Sequence, residues 1–161
     1  MTGDFLGTDL HLGFVADEEG RVFSGPSTRV DLQAHTRADV APRTHDLSRI
    51  TGRANLVQAL IVRLQTQRGE LEPLGHPDYG SRHHELIGEP NTETNRNLVK
   101  LHVLACLRQE PRLEEILRVA VRPAATREER QTVTIDAEVV ARGDPTPLSL
   151  VVPFSFAGPL T

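Results

Sequence analysis

Apolar residues recur at every second position in three separate runs toward the C-terminal end of the chain. No other sequence feature restricts the fold as tightly. Leu117, Val119 and Val121 alternate with Arg118, Ala120 and Arg122; Val133, Ile135, Ala137, Val139 and Ala141 alternate with Thr132, Thr134, Asp136 and Glu138; Leu148, Leu150, Val152, Phe154 and Phe156 form the third set. Successive side chains of a strand point to opposite faces, so these runs predict a sheet with one apolar face. Gly143-Asp144-Pro145-Thr146 joins the last two runs as a hairpin. Pro147 and Pro153 cannot donate to a central ladder, which predicts that the last strand lies at an edge or ends early.

Helical periodicity precedes the strands. From Ala54 to Thr66, Leu56, Ala59, Leu60 and Leu64 fall on one stripe, widened by Val57, Ile61 and Val62, so a mostly enclosed helix is predicted. Gln67-Arg68-Gly69 ends it, with Gly69 as its left-handed cap. A second helix is predicted over residues 92–109, with Asn91 or Thr92 as N-cap and Pro111 setting its end. Its apolar second half should be buried and its polar start should protrude. Residues 70–90, rich in Pro and Gly, read as a long structured loop in which Arg82 to Ile87 forms a turn or two of helix.

The simplest packing is an α+β domain: two main helices on a small antiparallel or mixed sheet, ending in a C-terminal β-meander. This domain would span residues 54–161, and residues 1–53 would be an N-terminal extension with short strands. In that extension Leu10, Leu12 and Phe14 alternate before the turn Asp17-Glu18-Glu19-Gly20, suggesting a hairpin. Thr28 to Leu32 alternates again, Thr36 to Asp46 reads as a loop, and Leu47 to Ile50 as a very short strand.

Composition narrows the function. Aromatic residues make up 4% of the 161 residues, with no Trp and one Tyr, which leaves little to line a small-molecule pocket. A net charge of −4 disfavours nucleic-acid binding by phosphate neutralisation. The single cysteine, Cys106, falls on the most apolar turn of the second helix and reads as an inert core thiol. Met1 to Phe14 lacks the basic start and apolar run of a signal peptide, and no stretch suits a membrane helix. Synthesis in the cytoplasm is expected, with no nucleic acid, membrane or cofactor involved.

Four features in order, from Gly52 to Val121, resemble one known family. They are a turn and helix carrying Gly52, Asn55-Leu56, Gln58-Ala59 and Leu64; the handover Thr66-x-x-Gly69-Glu70-Leu71; the corner Asp78-Tyr79-Gly80-Ser81; and Glu110-Pro111-Arg112 closing the second helix. In this the chain is similar to the wedge and sheath-initiator family of contractile phage tails and injection systems, related to a type VI secretion baseplate subunit.

The resemblance implies a structural subunit, not an enzyme, that acts in several copies within a symmetric particle. Glu110, Pro111 and Arg112 would meet a helical bundle of neighbouring wedge subunits, the proline bracing a corner from which Arg112 offers its planar fork. Strands of the first sheath ring would add to the C-terminal sheet around Val133, Ile135, Leu148, Leu150, Val152 and Phe154, and the central hub is a further partner. Gly69, Tyr79 and Gly80 read as structural corners. Arg108, Arg112, Arg118, Arg122, Arg127 and Arg130 flank the sheet and would mostly be solvated.

Other readings carry less. His76, Asp78 and His84 are candidate metal ligands, but His83 and His84 are adjacent and would point about 100° apart on a helix. Glu70, Glu72, Asp78 and Glu85 are candidate acids for glycoside hydrolysis, although the surrounding segment is too polar to raise a carboxyl pKa. A regulatory adaptor of the same fold, with the N-terminal region as its binding arm, is the second reading, and the hydrolase the third.

Overall fold

The computed structural model describes residues 6–12, 15–16, 22–23, 34–37, 44–124 and 130–158. Two α-helices, α1 (Gly52–Gln65) and α2 (Glu93–Leu107), pack on one face of a five-stranded sheet. In chain order the strands are β1 (Thr8–Leu10), β2 (Val15–Ala16), β3 (Val22–Phe23), β4 (Ala34–Arg37), β5 (Thr44–Leu47), β6 (Arg49–Thr51), β7 (Leu113–Pro123), β8 (Thr132–Ala141) and β9 (Asp144–Ser155). The large sheet has the order β2-β3-β9-β8-β7, antiparallel except that β3 runs parallel to β9. Two-stranded ribbons pair β1 with β6 and β4 with β5. The expected α+β fold with its C-terminal meander is the fold observed.

The core lies between the helices and the sheet. Leu56, Leu60, Ile61 and Leu64 of α1 and Val99, Val103 and Leu107 of α2 face Val133, Ile135 and Val139 of β8 and Leu150 of β9, all of them fully buried. Period-two alternation survives in β8 along its whole length. It breaks in β7, where the register shifts between Leu113 and Glu115 and again between Ile116 and Arg118. The strand therefore begins at Leu113, four residues before its apolar alternation becomes regular, and Leu117 is exposed while Val119 is buried.

The ends of the helices follow their chemistry. The hydroxyl of Thr92 accepts the N–H of Asn95 and caps α2. α1 starts at Gly52 and leaves through Thr66 in an extended conformation, so Gly69 is not its cap. Gly69 has φ +89° in the turn that follows, with open space where a Cβ would stand. The apolar half of α2 is also less enclosed than its composition predicts, since Leu101 stays 60% exposed and Leu98 38%. Arg82–Leu86 forms the short helical turn expected, of the tighter 3-10 kind.

Two expectations for the N-terminal third are revised. Ala34–Arg37 pairs with Thr44–Leu47, so the ends of the stretch 36–46 are strands rather than loop. β2 and β3 pair antiparallel through residues 15–16 and 22–23, but Leu10, expected in the first strand of that hairpin, lies in β1 and pairs with β6 instead. The alternating run Thr28 to Leu32 lies outside the described residues.

Candidate assembly interfaces

The last strand is not an edge. β8 lies on one side of it and β3 on the other, with Val22 opposite Leu150 and Phe23 opposite Val151. Ladder geometry explains how β9 accommodates its prolines. Phe156 N–H donates to Gln131 C=O, so even-numbered residues of the 148–156 stretch direct their backbone groups toward β8 and odd-numbered ones away from it. Pro147 and Pro153 occupy odd positions, where no bond to β8 is lost. Arg53, at the start of α1, closes the near end of that outer margin: its guanidinium donates to the carbonyls of Thr146 and Pro147 and pairs with Asp144.

Val133, Ile135, Leu148, Leu150, Val152 and Phe154 are all core residues, none more than 7% exposed. Their side chains face the helices, and β8 is paired on both flanks. The strand-addition surface expected here is therefore occupied by the chain itself along β8 and, through β3, at Leu150 and Val151 of β9. Among the described residues, the large sheet is left without a partner strand at β7 and, at its other end, at the two-residue β2, so β7 is its one long open margin.

The Glu110-Pro111-Arg112 corner is turned inward at its acid. Glu110 is 5% exposed. Its carboxylate accepts from Arg112 Nε at 2.7 Å and Nη2 at 3.2 Å, and Arg63 Nη2 lies 3.6 Å away. Burial opposes the charge, but the hydrogen bonds and charge of Arg112, with Arg63 behind it, outweigh that and hold the carboxyl below its usual range. The expectation that Glu110 reaches for a partner is corrected: a buried carboxylate needs paired cations, and this one takes both from its own chain. Pro111 is exposed, and the Arg112 side chain is 23% accessible. Arg112 Nη1 also donates to Leu6 C=O at 3.3 Å, so the N-terminal segment lies against the corner.

Two buried amides fix that segment. Odd-numbered residues of 7–11 face β6, since Gly52 N–H donates to Gly7 C=O and His11 N–H to Ser48 C=O. On the other flank, Asn55 Nδ2 donates to Leu6 C=O, Gln58 Nε2 donates to Leu10 C=O, and Leu12 N–H donates to Gln58 Oε1. Side chains of α1 thus do what a third strand would do. Both residues are 4% exposed on an otherwise apolar helix, and in the sequence they read only as breaks in its stripe.

Gly69, Tyr79 and Gly80 bound the loop after α1. Ser81 N–H donates to Thr66 C=O and Arg68 N–H to Ser81 C=O, so the two ends of the loop are stitched together. Gly80 has φ +99°, and a Cβ there would stand 2.6 Å from the Thr66 carbonyl oxygen. Tyr79 lies under the guanidinium of Arg63, 4.4 Å from ring centre. Arg63, Arg68, His76, Asp78, Tyr79 and Gln109 line a shallow cleft beside the corner.

The candidate ligands and acids are scattered. His84 Nε2 is bonded to Leu64 C=O, while Asp78 pairs with Arg68 in the cleft. Among the described residues no three metal-ligating side chains converge. Glu85 is paired with Arg82, whose hydrogen bond holds its carboxyl below the usual range, and Glu70 accepts the N–H of Gln67. Cys106 is buried, which pushes its thiol up to about 11. Sequence reasoning missed His83. It is 1% exposed, bonded to Ser81 Oγ at 2.8 Å and set edge-on to Phe154. Of the flanking arginines, Arg122 pairs with Asp136 at 3.3 Å, Arg108 and Arg118 are exposed, and Arg127 lies outside the described residues.

Residues 51–144, from the end of β6 through both helices to the last hairpin, match the family described as Baseplate wedge protein gp25. The chain belongs to that family. The match spans the four sequence features noted above, the corner among them, which supports a structural role in a phage baseplate as part of a multi-subunit assembly. Among solved structures, a protein from Geobacter sulfurreducens described as a tail lysozyme aligns with a TM-score of 0.54 at 27% identity, over 63% of this chain and 88% of its own. No curated protein sequence matches the chain. No helix in the described part is long and apolar enough to cross a membrane.

Proposed function

We propose that this baseplate wedge protein joins the wedge subunits to the first ring of the sheath and templates that ring by accepting strands at its sheet. The observation that carries the reading is the five-stranded sheet itself, which ends at β7 without a partner among the described residues. An unpaired edge presents a row of backbone donors and acceptors that an extended segment of another chain can complete. The wedge contact is made around the exposed Pro111 and the adjoining cleft, with Glu110 and Arg112 holding that corner rigid. The protein enters a phage tail-like particle without performing catalysis. A general acid needs a raised pKa, whereas Glu85 is held low and the remaining candidate acids are on the surface.

Reconstitution of the baseplate with purified wedge and sheath subunits tests this reading. Gln109→Ala and Arg68→Ala, both at the cleft, should leave the melting temperature unchanged and lower recovery with the wedge subunits. Sheath rings should form on baseplates that contain the protein and fail on those without it. Rings that form equally well in its absence would refute the templating role.

A further inference from the structure

The edge of the molecule formed by β7 and α2 carries two independent signs of a missing neighbour. The first is the backbone. Ala124 N–H donates to Thr132 C=O, so even-numbered residues of the 118–124 stretch face β8, and Val119 and Val121 direct their N–H and C=O groups outward. The second is apolar surface. α2 packs on β7, and its outward face keeps Leu98, Leu101 and Ala105 exposed at helical spacing. β9 offers no such site, because β3, Arg53, Pro147 and Pro153 close its margin.

Resting on the strand-addition reading above, we propose that β7 is the acceptor margin, and that it takes an extended partner segment in which acidic residues alternate with apolar ones. Charge sets the first half of that alternation. On the face away from the helices β8 presents Asp136 and Glu138, and β7 presents Arg118 opposite Glu138 and Arg122 on the diagonal to Asp136, 3.3 Å away. A strand carrying carboxylates beside those arginines continues the sequence of opposite signs, and cross-strand pairs of opposite charge stabilise a sheet. The alternate residues of the same strand fall on the helix face beside Val119 and Val121, where an apolar side chain extends the existing core. The two register shifts in β7 confine regular pairing to the stretch after Arg118, which discourages indiscriminate sheet-to-sheet contact.

The test uses the full chain and two synthetic peptides, one alternating glutamate with valine and one alternating lysine with valine, read by amide hydrogen exchange and fluorescence anisotropy. The acidic peptide should protect the Val119 and Val121 amides. Val121→Pro removes an outward donor without touching the β8 ladder, and Arg118→Glu reverses the charge; each should weaken binding about tenfold while the β8 amides of the variant stay protected from exchange. Protection appearing instead at Ser149 or Val151 would overturn the assignment to β7 while leaving strand addition intact. Tighter binding of the lysine peptide would overturn the acidic partner. Protection of no sheet amide by either peptide would refute strand addition itself, and the inference with it.

Discussion

Several single residues here have no substitute. Gly80 combines a left-handed backbone with an approach so close that any Cβ meets the Thr66 carbonyl. Gly80→Ala should cost about 2 kcal/mol or more, read as a lowered midpoint in urea. The sequence signals this position, since glycine after an aromatic in a polar loop suggests a sharp corner. The state of Glu110 was not legible in it. An acid at a helix end before proline usually meets water, and only tertiary structure brings Arg63 from α1 to within 3.6 Å of it. Glu110→Ala leaves Arg63 and Arg112 facing each other across a buried gap, so a loss of about 3–5 kcal/mol is expected in the same measurement. Glu110→Gln, which keeps the shape, separates loss of charge from loss of volume.

Individual elements were legible to different degrees. β8 follows its alternation because neither face is disturbed, and α1 and α2 follow their apolar stripes. β7 begins earlier than its pattern because bulges place residues such as Leu117 out of phase, and a phase shift cannot be distinguished from the end of a strand by periodicity alone. β4 and β5, reading AHTR and THDL, pair without an apolar alternation to announce them. The ribbon of β1 and β6 owes its position to α1, not to its own pattern. Gln58→Leu should therefore release residues 6–12, because Leu10 C=O and Leu12 N–H lose their partner together. The expected cost is about 1–3 kcal/mol, with faster exchange at the Leu12 amide while α2 and β8 remain protected.

At the scale of the whole molecule, two buried ionisable groups make folding sensitive to acid in the same direction. Burial, with His84 and His102 nearby, holds His83 well below 6.5, so the folded ring is neutral. The unfolded chain takes up that proton near the ordinary value, so stability is complete above about 6.5 and falls as pH drops, by about 1.4 kcal/mol per unit until the folded ring also protonates. Glu110 adds to the loss at lower pH. Its folded pKa is below the usual 4.5, so its contribution is present above that value and disappears as pH falls through the folded pKa. Melting curves should show a marked decline between pH 6.5 and 5, and His83→Phe should flatten it. The sequence disclosed the family and the layered α+β plan, since both depend on local motifs and periodicity. It did not disclose which margin of the sheet stays open, because that depends on where the N-terminal third of the chain settles.

The stitched base of the loop between Gln67 and Ser81 separates its tip from the rest of the molecule. Leu74, at that tip, is 72% exposed and no core residue depends on it. Lengthening a closed loop adds little entropy cost, so the tip is a natural insertion point. A small fluorescent label introduced there stands beside Gly75 and His76 of the cleft, so it should leave the fold undisturbed and report on docking at that cleft.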